Sequence, residues 1–222
     1  MVLLMHHDIG FEEKVICPLK EIFDIGKEHT KAFKYLGLNV EQQFDCIVIN
    51  QNEYVASVEP ICLNKERSNQ RHYPVNKEEL KKLRALIGQL NWIAMQTRPD
   101  ILFDCCDIAG CFKDATIEIM LKANKVVKKL NDDSYIRLKM LQPEEFKLRV
   151  YHDASYANLK DGGSQGGYIV LLTDKKEKSI LTIAWQSKRL RSVVRSTLAA
   201  EILSMVDAAD ATFWLSCILN EI

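Results

Sequence analysis

Two acidic residues in the last third of the chain have the type and spacing for metal chemistry. Asp153 follows the apolar-alternating run Leu148-Arg149-Val150-Tyr151-His152 and reads as a strand end. Glu201 falls in the second turn of a helix that opens with Arg195-Ser196-Thr197-Leu198-Ala199-Ala200. A carboxylate at a strand end that faces another on the next helix suits a hard divalent cation. Mg²⁺ takes oxygen ligands and keeps several waters, so one or two carboxylates and a substrate phosphate complete its shell. Two such ions about 4 Å apart suit in-line cleavage of a phosphodiester. Taken singly, Asp153 also fits an ordinary turn residue, and Glu201 a solvated helix position.

The elements that must position this pair read as β-β-β-α. Phe146 to Tyr151 is a strand, and Asn158, Lys160, Asp161, Gly162, Gly163 and Ser164 make a turn. Gly167 to Leu172 is a second strand, Lys175-Lys176-Glu177-Lys178 a charged hairpin tip, and Ile180 to Gln186 a third strand. Ser196 or Thr197 caps a helix that runs to the end. Its buried stripe is expected to be Leu198, Ile202, Met205, Ala209, Phe213 and Leu215 or Ile218.

Upstream, the middle of the chain is helical. Asn76 is a plausible N-cap, and Leu80, Leu83, Ile87, Leu90 and Ile93 step by three or four. The helix ends at Thr97-Arg98-Pro99-Asp100, because the residue before proline avoids helix. Asp100 to Phe112 and Ala115 to Leu130 form two more helices. Lys122, Lys125, Lys128 and Lys129 on the last suit either a phosphate backbone or a solvated face, the latter being the commoner use. Trp92 is expected in the core. Glu59 to Pro74 is polar and broken and reads as linker. In the first third, Val15, Leu19, Ile22 and Phe23 share a helix face, and Gly26 marks its stop. Phe33 to Val40 reads as a strand with a glycine bulge at Gly37. Cys46 to Asn50 is a second strand, and a polar turn at Gln42 and Gln43 makes the two a hairpin.

The bulk numbers limit the function classes. An apolar fraction of 47% is ample for a core, and zero formal charge argues against a free-standing, strongly basic nucleic-acid binder. The cysteines, Cys17, Cys46, Cys62, Cys105, Cys106, Cys111 and Cys217, are odd in number and lack C-x-x-C pairs. They read as buried thiols of a reducing compartment, with a zinc site at Cys105, Cys106 and Cys111 the minor alternative. No uninterrupted apolar run reaches about 18 residues, so no membrane span is expected. The apolar start, Met1 to Met5, lacks a basic flank and is not a signal peptide. The expected location is cytoplasmic, with the nucleus possible.

Four blocks together carry a resemblance. Tyr151-His152-Asp153-Ala154-Ser155-Tyr156-Ala157-Asn158 comes first and Gly162-Gly163-Ser164-Gln165-Gly166-Gly167-Tyr168 second. Ile183-Ala184-Trp185-Gln186-Ser187-Lys188-Arg189 and Arg195-Ser196-Thr197-Leu198-Ala199-Ala200-Glu201 follow. Their order and spacing resemble the ribonuclease H domain of copia-type retrotransposon Pol polyproteins. Upstream, Leu83 to Trp92 with Thr97-Arg98-Pro99-Asp100-Ile101 resembles the thumb and connection of that family, and Leu19 to Leu38 the segment after its polymerase motif.

The resemblance implies an α/β (α+β) molecule in three parts. Residues 1–65 are a reverse-transcriptase palm remnant, 66–142 a helical thumb and connection, and 143–222 a partial ribonuclease H unit. It implies Asp153 and Glu201 as catalytic ligands of Mg²⁺ or Mn²⁺, with Asp153 bridging two ions and Glu201 holding one. It further implies that Ser155 lines the groove and that Gln186, Ser187, Lys188 and Arg189 contact an RNA–DNA hybrid. The remaining partner is the rest of the Pol polyprotein, with no membrane. Two family features are missing. No adjacent aspartates precede Leu19, and Asp132-Asp133 lies in a polar loop, so the polymerase site is absent. The family's third and fourth carboxylates fall beyond Ile222, and Asp207 and Asp210 lie about 120° and 180° round the helix from Glu201. The expectation is an enzyme fragment without activity of its own, or alternatively a non-catalytic module that binds nucleic acid or protein.

Overall fold

The computed structural model describes residues 10–24, 31–43, 46–132, 138–141, 146–159, 161–174 and 180–221. Asp8, Gly26, Asp133, Lys160, the 1–5 start and the 175–178 tip lie outside the described residues. The described chain is a mixed helix-and-strand molecule, as the α+β reading expects.

The first sheet begins with β1 (Ala32–Tyr35), β2 (Leu38–Gln42) and β3 (Cys46–Asn50), all antiparallel. The single bulged strand expected over 33–40 is in fact a hairpin. Leu36 and Gly37 have φ of 47° and 81°, and Tyr35 pairs with Leu38. Two successive left-handed residues make the tight turn whose twist matches its strands, and Gly37 adopts its share without steric cost. The hairpin expected at Gln42 and Gln43 forms, with Gln42 opposite Ile47. A fourth strand, β4 (Leu138–Leu141), pairs antiparallel with β3, so residues beyond the helical stretch return to this sheet. Upstream, a π turn (Glu12–Ile16) leads into α1 (Cys17–Ile22), and neither has a buried residue.

The helical unit comprises α2 (Asn52–Ala56), α3 (Lys65–Asn69), α4 (Lys77–Gln96), α5 (Leu102–Gly110) and α6 (Ile117–Asp132). Helix α3 sits in the stretch expected to be linker. It forms because the Asn64 side chain accepts from the Arg67 amide at 2.7 Å. Helix α4 has the expected cap, made reciprocal by Glu79. Asn76 Oδ1 accepts from the Glu79 amide at 2.9 Å, and Glu79 Oε2 accepts from the Asn76 amide at 2.8 Å. Arg67 completes the arrangement with a bidentate pair to Glu79, both bonds 2.8 Å. The expected stripe is buried: Leu83, Ile87, Leu90 and Ile93 meet Ile108, Met120 and Val127 in one core. Trp92 lies outside that core, half-exposed on the far face of α4.

The tetrapeptide that ends α4 contains the largest fully buried side chain, Arg98, at 2% exposure. Its Nε and Nη2 donate to the two Asp100 oxygens at 2.8 and 2.9 Å, and Nη1 donates to the Leu130 carbonyl at 3.2 Å. Leu130 is in the last turn of α6, where carbonyls lack helical partners and the dipole favours a cation. Burial opposes ionisation of Asp100, but the hydrogen bonds and charge of Arg98, with Lys129, outweigh it and hold the carboxyl below its usual range.

The last unit is β5 (Phe146–Ser155), β6 (Gln165–Asp174) and β7 (Ile180–Arg189), antiparallel with β6 central, followed by α7 (Thr197–Glu221). The β-β-β-α order is as expected. Each strand runs beyond its expected end, so Asp153 lies inside β5 and not at its terminus. Ser196 caps α7, its hydroxyl accepting from the Ala199 amide at 3.2 Å.

The expected buried stripe of α7 is wrong. Leu198 and Phe213 are 67% and 73% exposed, and Ile202 and Met205 are about half-exposed. The buried face is Ala200, Ser204 and Ala208, spaced by four. The helix lies too close to the sheet for large side chains. A Cβ on Gly166 would stand 3.3 Å from Ser204 Cβ and 2.9 Å from Leu190 Cδ2. The Ser204 hydroxyl lies within hydrogen-bonding distance of the Asp153 and Gly167 carbonyls, at 2.8 and 3.0 Å, and shares its one proton between them. By length and composition α7 is apolar enough to cross a membrane, contrary to the expectation of no span, because scattered acidic residues interrupt its apolar run. Here it lies along β5 and β6.

Two outcomes follow for stability. Arg98→Ala leaves Asp100 with a lost buried partner and lowers unfolding free energy by about 3 kcal/mol in denaturant melts. Because the Asp100 pKa is depressed, its contribution is full above the unfolded value of 3.8 and fades as pH falls through the lower folded value, so the gap between acid melts of Arg98→Ala and wild type narrows there. On α7, Ala208→Leu overpacks the sheet contact and costs about 1–3 kcal/mol. Phe213→Ser changes stability by less than about 0.5 kcal/mol.

Candidate functional site

The second sheet is fixed to the helical unit by two hydrogen bonds from side chains that cross between them. The Trp185 indole N–H donates to the Ala94 carbonyl at 2.9 Å. Ala94 is in the last turn of α4, so this carbonyl has no helical partner of its own. The Cys106 thiol donates to the Ser187 carbonyl at 2.9 Å. Together they set α5 beside β7.

Between them lies an open groove of about 350 Å³. Residues of one strand face alternate, and Tyr151, Asp153 and Ser155 on β5 lie opposite Ile169, Gly167 and Gln165 on β6. All six line the groove, with Ser187 from β7 and Phe103 from α5. Asp153 is exposed and opens into it. Gln165 Nε2 donates to Ser187 Oγ at 2.7 Å, which orients both on the groove wall.

Glu201 is not among the groove residues. It lies on α7, on the other side of the sheet, where His152 Nδ1 is 3.9 Å from its Oε2. His152 is next to Asp153, so its side chain leaves the sheet on the opposite face, although His152 and Tyr168 also border the groove. The same face carries Lys188, whose Nζ is 3.0 Å from Asp207 on α7, and Tyr168. Burial, and then the Asp207 charge, push the Tyr168 hydroxyl up. Thus the pair read as a metal site is divided by the sheet, and the residue brought to Glu201 is His152. Among the described residues, no three His, Cys, Asp or Glu side chains gather where they could hold one ion.

The other sequence-predicted residues also divide. Ser155, Gln186 and Ser187 line the groove. Arg189 pairs with Asp161, whose carboxyl is held low by that hydrogen bond and by the Gly163 amide. The Arg189 guanidinium lies over Gly163, where a Cβ would stand 2.6 Å from its Nη2 and would displace this flexible side chain. Lys122 and Lys129 also have acidic or carbonyl partners. Lys122 Nζ is 2.6 Å from Asp107, and Lys129 Nζ donates to the Asp100 carbonyl at 3.0 Å. Cys105 is inert, its thiol pushed up to about 12 chiefly by burial, and Cys106 is engaged with Ser187. The zinc alternative therefore has no support, while Cys17, Cys62 and Cys217 are exposed and not buried as expected.

Tyr151 and Phe103 were not foreseen as groove residues. The period of two around Asp153 marks Tyr151. Phe103 carries no local signal, because only the packing of α5 on β7 brings it there.

No family model matches the chain. Two curated proteins of Arabidopsis thaliana are similar to it. The retrovirus-related Pol polyprotein from transposon RE1 is 28% identical over 140 residues, which cover 63% of this chain and 9% of that protein. The corresponding polyprotein from transposon RE2 is 22% identical over 233 aligned positions, taking in 100% of this chain and 16% of that protein. The chain thus spans less than a fifth of either relative. The chain is therefore similar, over a small part of their length, to transposon-encoded retrovirus-related Pol polyproteins.

Proposed function

We propose that the chain is a reverse transcriptase–ribonuclease H segment of such a polyprotein and that its groove holds an RNA–DNA hybrid. The observation that carries this reading is the position of Asp153. It stands in the first strand of a β-β-β-α unit that bears all four blocks, and it opens into a groove lined with hydroxyl and amide groups. Side chains of that kind are what contact sugars, phosphates and base edges.

The divalent metal implied by the resemblance does not fit the described residues as a two-ion site. Asp153 and Glu201 lie on opposite faces of the sheet, and no third carboxylate joins either. A lone carboxylate among hydroxyls and amides leaves Mg²⁺ largely hydrated and weakly held. No hydrolytic step is therefore assigned to these residues. The activity proposed for the whole polyprotein, cleavage of the RNA strand of a hybrid, requires further carboxylates beside Asp153. The alternative of a module that binds without cleaving is favoured by the same separation.

Titration calorimetry with Mg²⁺ and Mn²⁺ on wild type and Asp153→Asn tests the metal half of this reading. The expected result is no saturable heat below millimolar ion, and the same trace from the variant. Saturable binding that Asp153→Asn abolishes, with hybrid cleavage, would overturn it. For the nucleic-acid half, a labelled hybrid is expected to bind with an affinity that falls as salt rises. Absence of binding at low salt would refute it.

A further inference from the structure

Half-exposed aromatic rings on either side of a carboxylate are the groove's unexplained feature. Phe103 is 48% exposed and Tyr151 53% exposed, yet both line the same groove as Asp153. Neither ring is needed for the core, which is complete beneath Phe103 with Leu102, Cys105 and Ile108. No Lys or Arg is among the groove-lining residues, and the charge that is present is negative. The groove is therefore poorly suited to a bare phosphate. It suits the uncharged part of a nucleotide, for which ring faces give apolar contact and Ser155 and Ser187 offer donors and acceptors.

We infer that Phe103 and Tyr151 form an aromatic clamp on the sugar–base edge of a bound nucleic-acid strand, and that the helical unit thereby supplies one of the two rings. This inference rests on the proposed hybrid binding and names the residues that hold the strand. Phe103 reaches the groove only because Trp185 on Ala94 and Cys106 on Ser187 seat α5 against β7. The clamp is thus shared between two units joined by hydrogen bonds at β7, with Tyr151 supplied by β5 and Phe103 by α5. Apolar ring contact tolerates any base, so the clamp adds affinity without sequence preference.

Fluorescence anisotropy on the full chain with a fluorescein-labelled RNA–DNA hybrid tests this. Covering the exposed half of one ring predicts that Phe103→Ala and Tyr151→Ala each weaken binding about five-fold. The slope of affinity against salt is expected to stay unchanged, because no phosphate contact is removed. Phe213→Ala, which removes a still more exposed ring on the outer face of α7, is expected to bind as wild type. Wild-type affinity in both Phe103→Ala and Tyr151→Ala would overturn the clamp and leave hybrid binding standing. A wild-type chain that binds no hybrid would overturn the proposed function itself. Should Phe103→Ala lose its fold in melting controls, Tyr151→Ala decides alone, and unchanged affinity there also overturns the clamp.

Discussion

The end of α4 is where every part of the molecule meets, and a buried guanidinium holds it. Arg98 joins the close of α4 to the last turn of α6 through the Leu130 carbonyl, and it fixes Asp100 at the start of the next helix. One residue earlier, the Thr97 hydroxyl donates to Gln51 Oε1 at 2.8 Å, which ties the end of β3 to the same point. Three residues before that, Ala94 offers its carbonyl to Trp185 of the second sheet. A charge this deep is costly without complete hydrogen bonding. The bidentate partner and an unpartnered helix-end carbonyl meet that demand, so the sheet, the helices and the groove share one fixed reference.

From that reference the groove follows. Helix α5 leaves the Arg98 junction with its buried face on α4 and α6, and its flank at Cys106 against β7. Strand β7 then sets the register of β6 and β5, in which Gly167 lies opposite Asp153. The absence of a side chain on Gly167 leaves room beside the carboxylate, since a Cβ there would press to 2.9 Å on the Gln186 carbonyl. On the reverse of the sheet, α7 sits close because Ala200, Ser204 and Ala208 are small. That closeness leaves its large apolar residues outside.

How far the sequence foretold this depended on whether a signal was local. The caps at Asn76 and Ser196 and the stripe of α4 are properties of a few neighbouring residues, and they were legible. So was the β-β-β-α order. The buried face of α7 was not, because this helix is apolar around most of its circumference and period alone cannot choose a side. The choice is made by Gly166 and Leu190, which belong to other elements. The carboxylate pair failed for a related reason. Asp153 was read as a strand end, where a side chain is free to turn, but β5 continues to Ser155 and its alternation assigns Asp153 a face. The Pol resemblance did not foretell which of its residues would meet.

The central claim is that nucleic acid lies in the groove shared by α5 and the second sheet, and not on the uncovered face of α7. Hydrogen–deuterium exchange of the full chain with and without an RNA–DNA hybrid addresses it directly. The account predicts slowed exchange in peptides spanning Phe103, Tyr151 to Ser155 and Gln165 to Ile169, with the C-terminal half of α7 unchanged. Protection confined to α7, or to the lysines of α6, would contradict it.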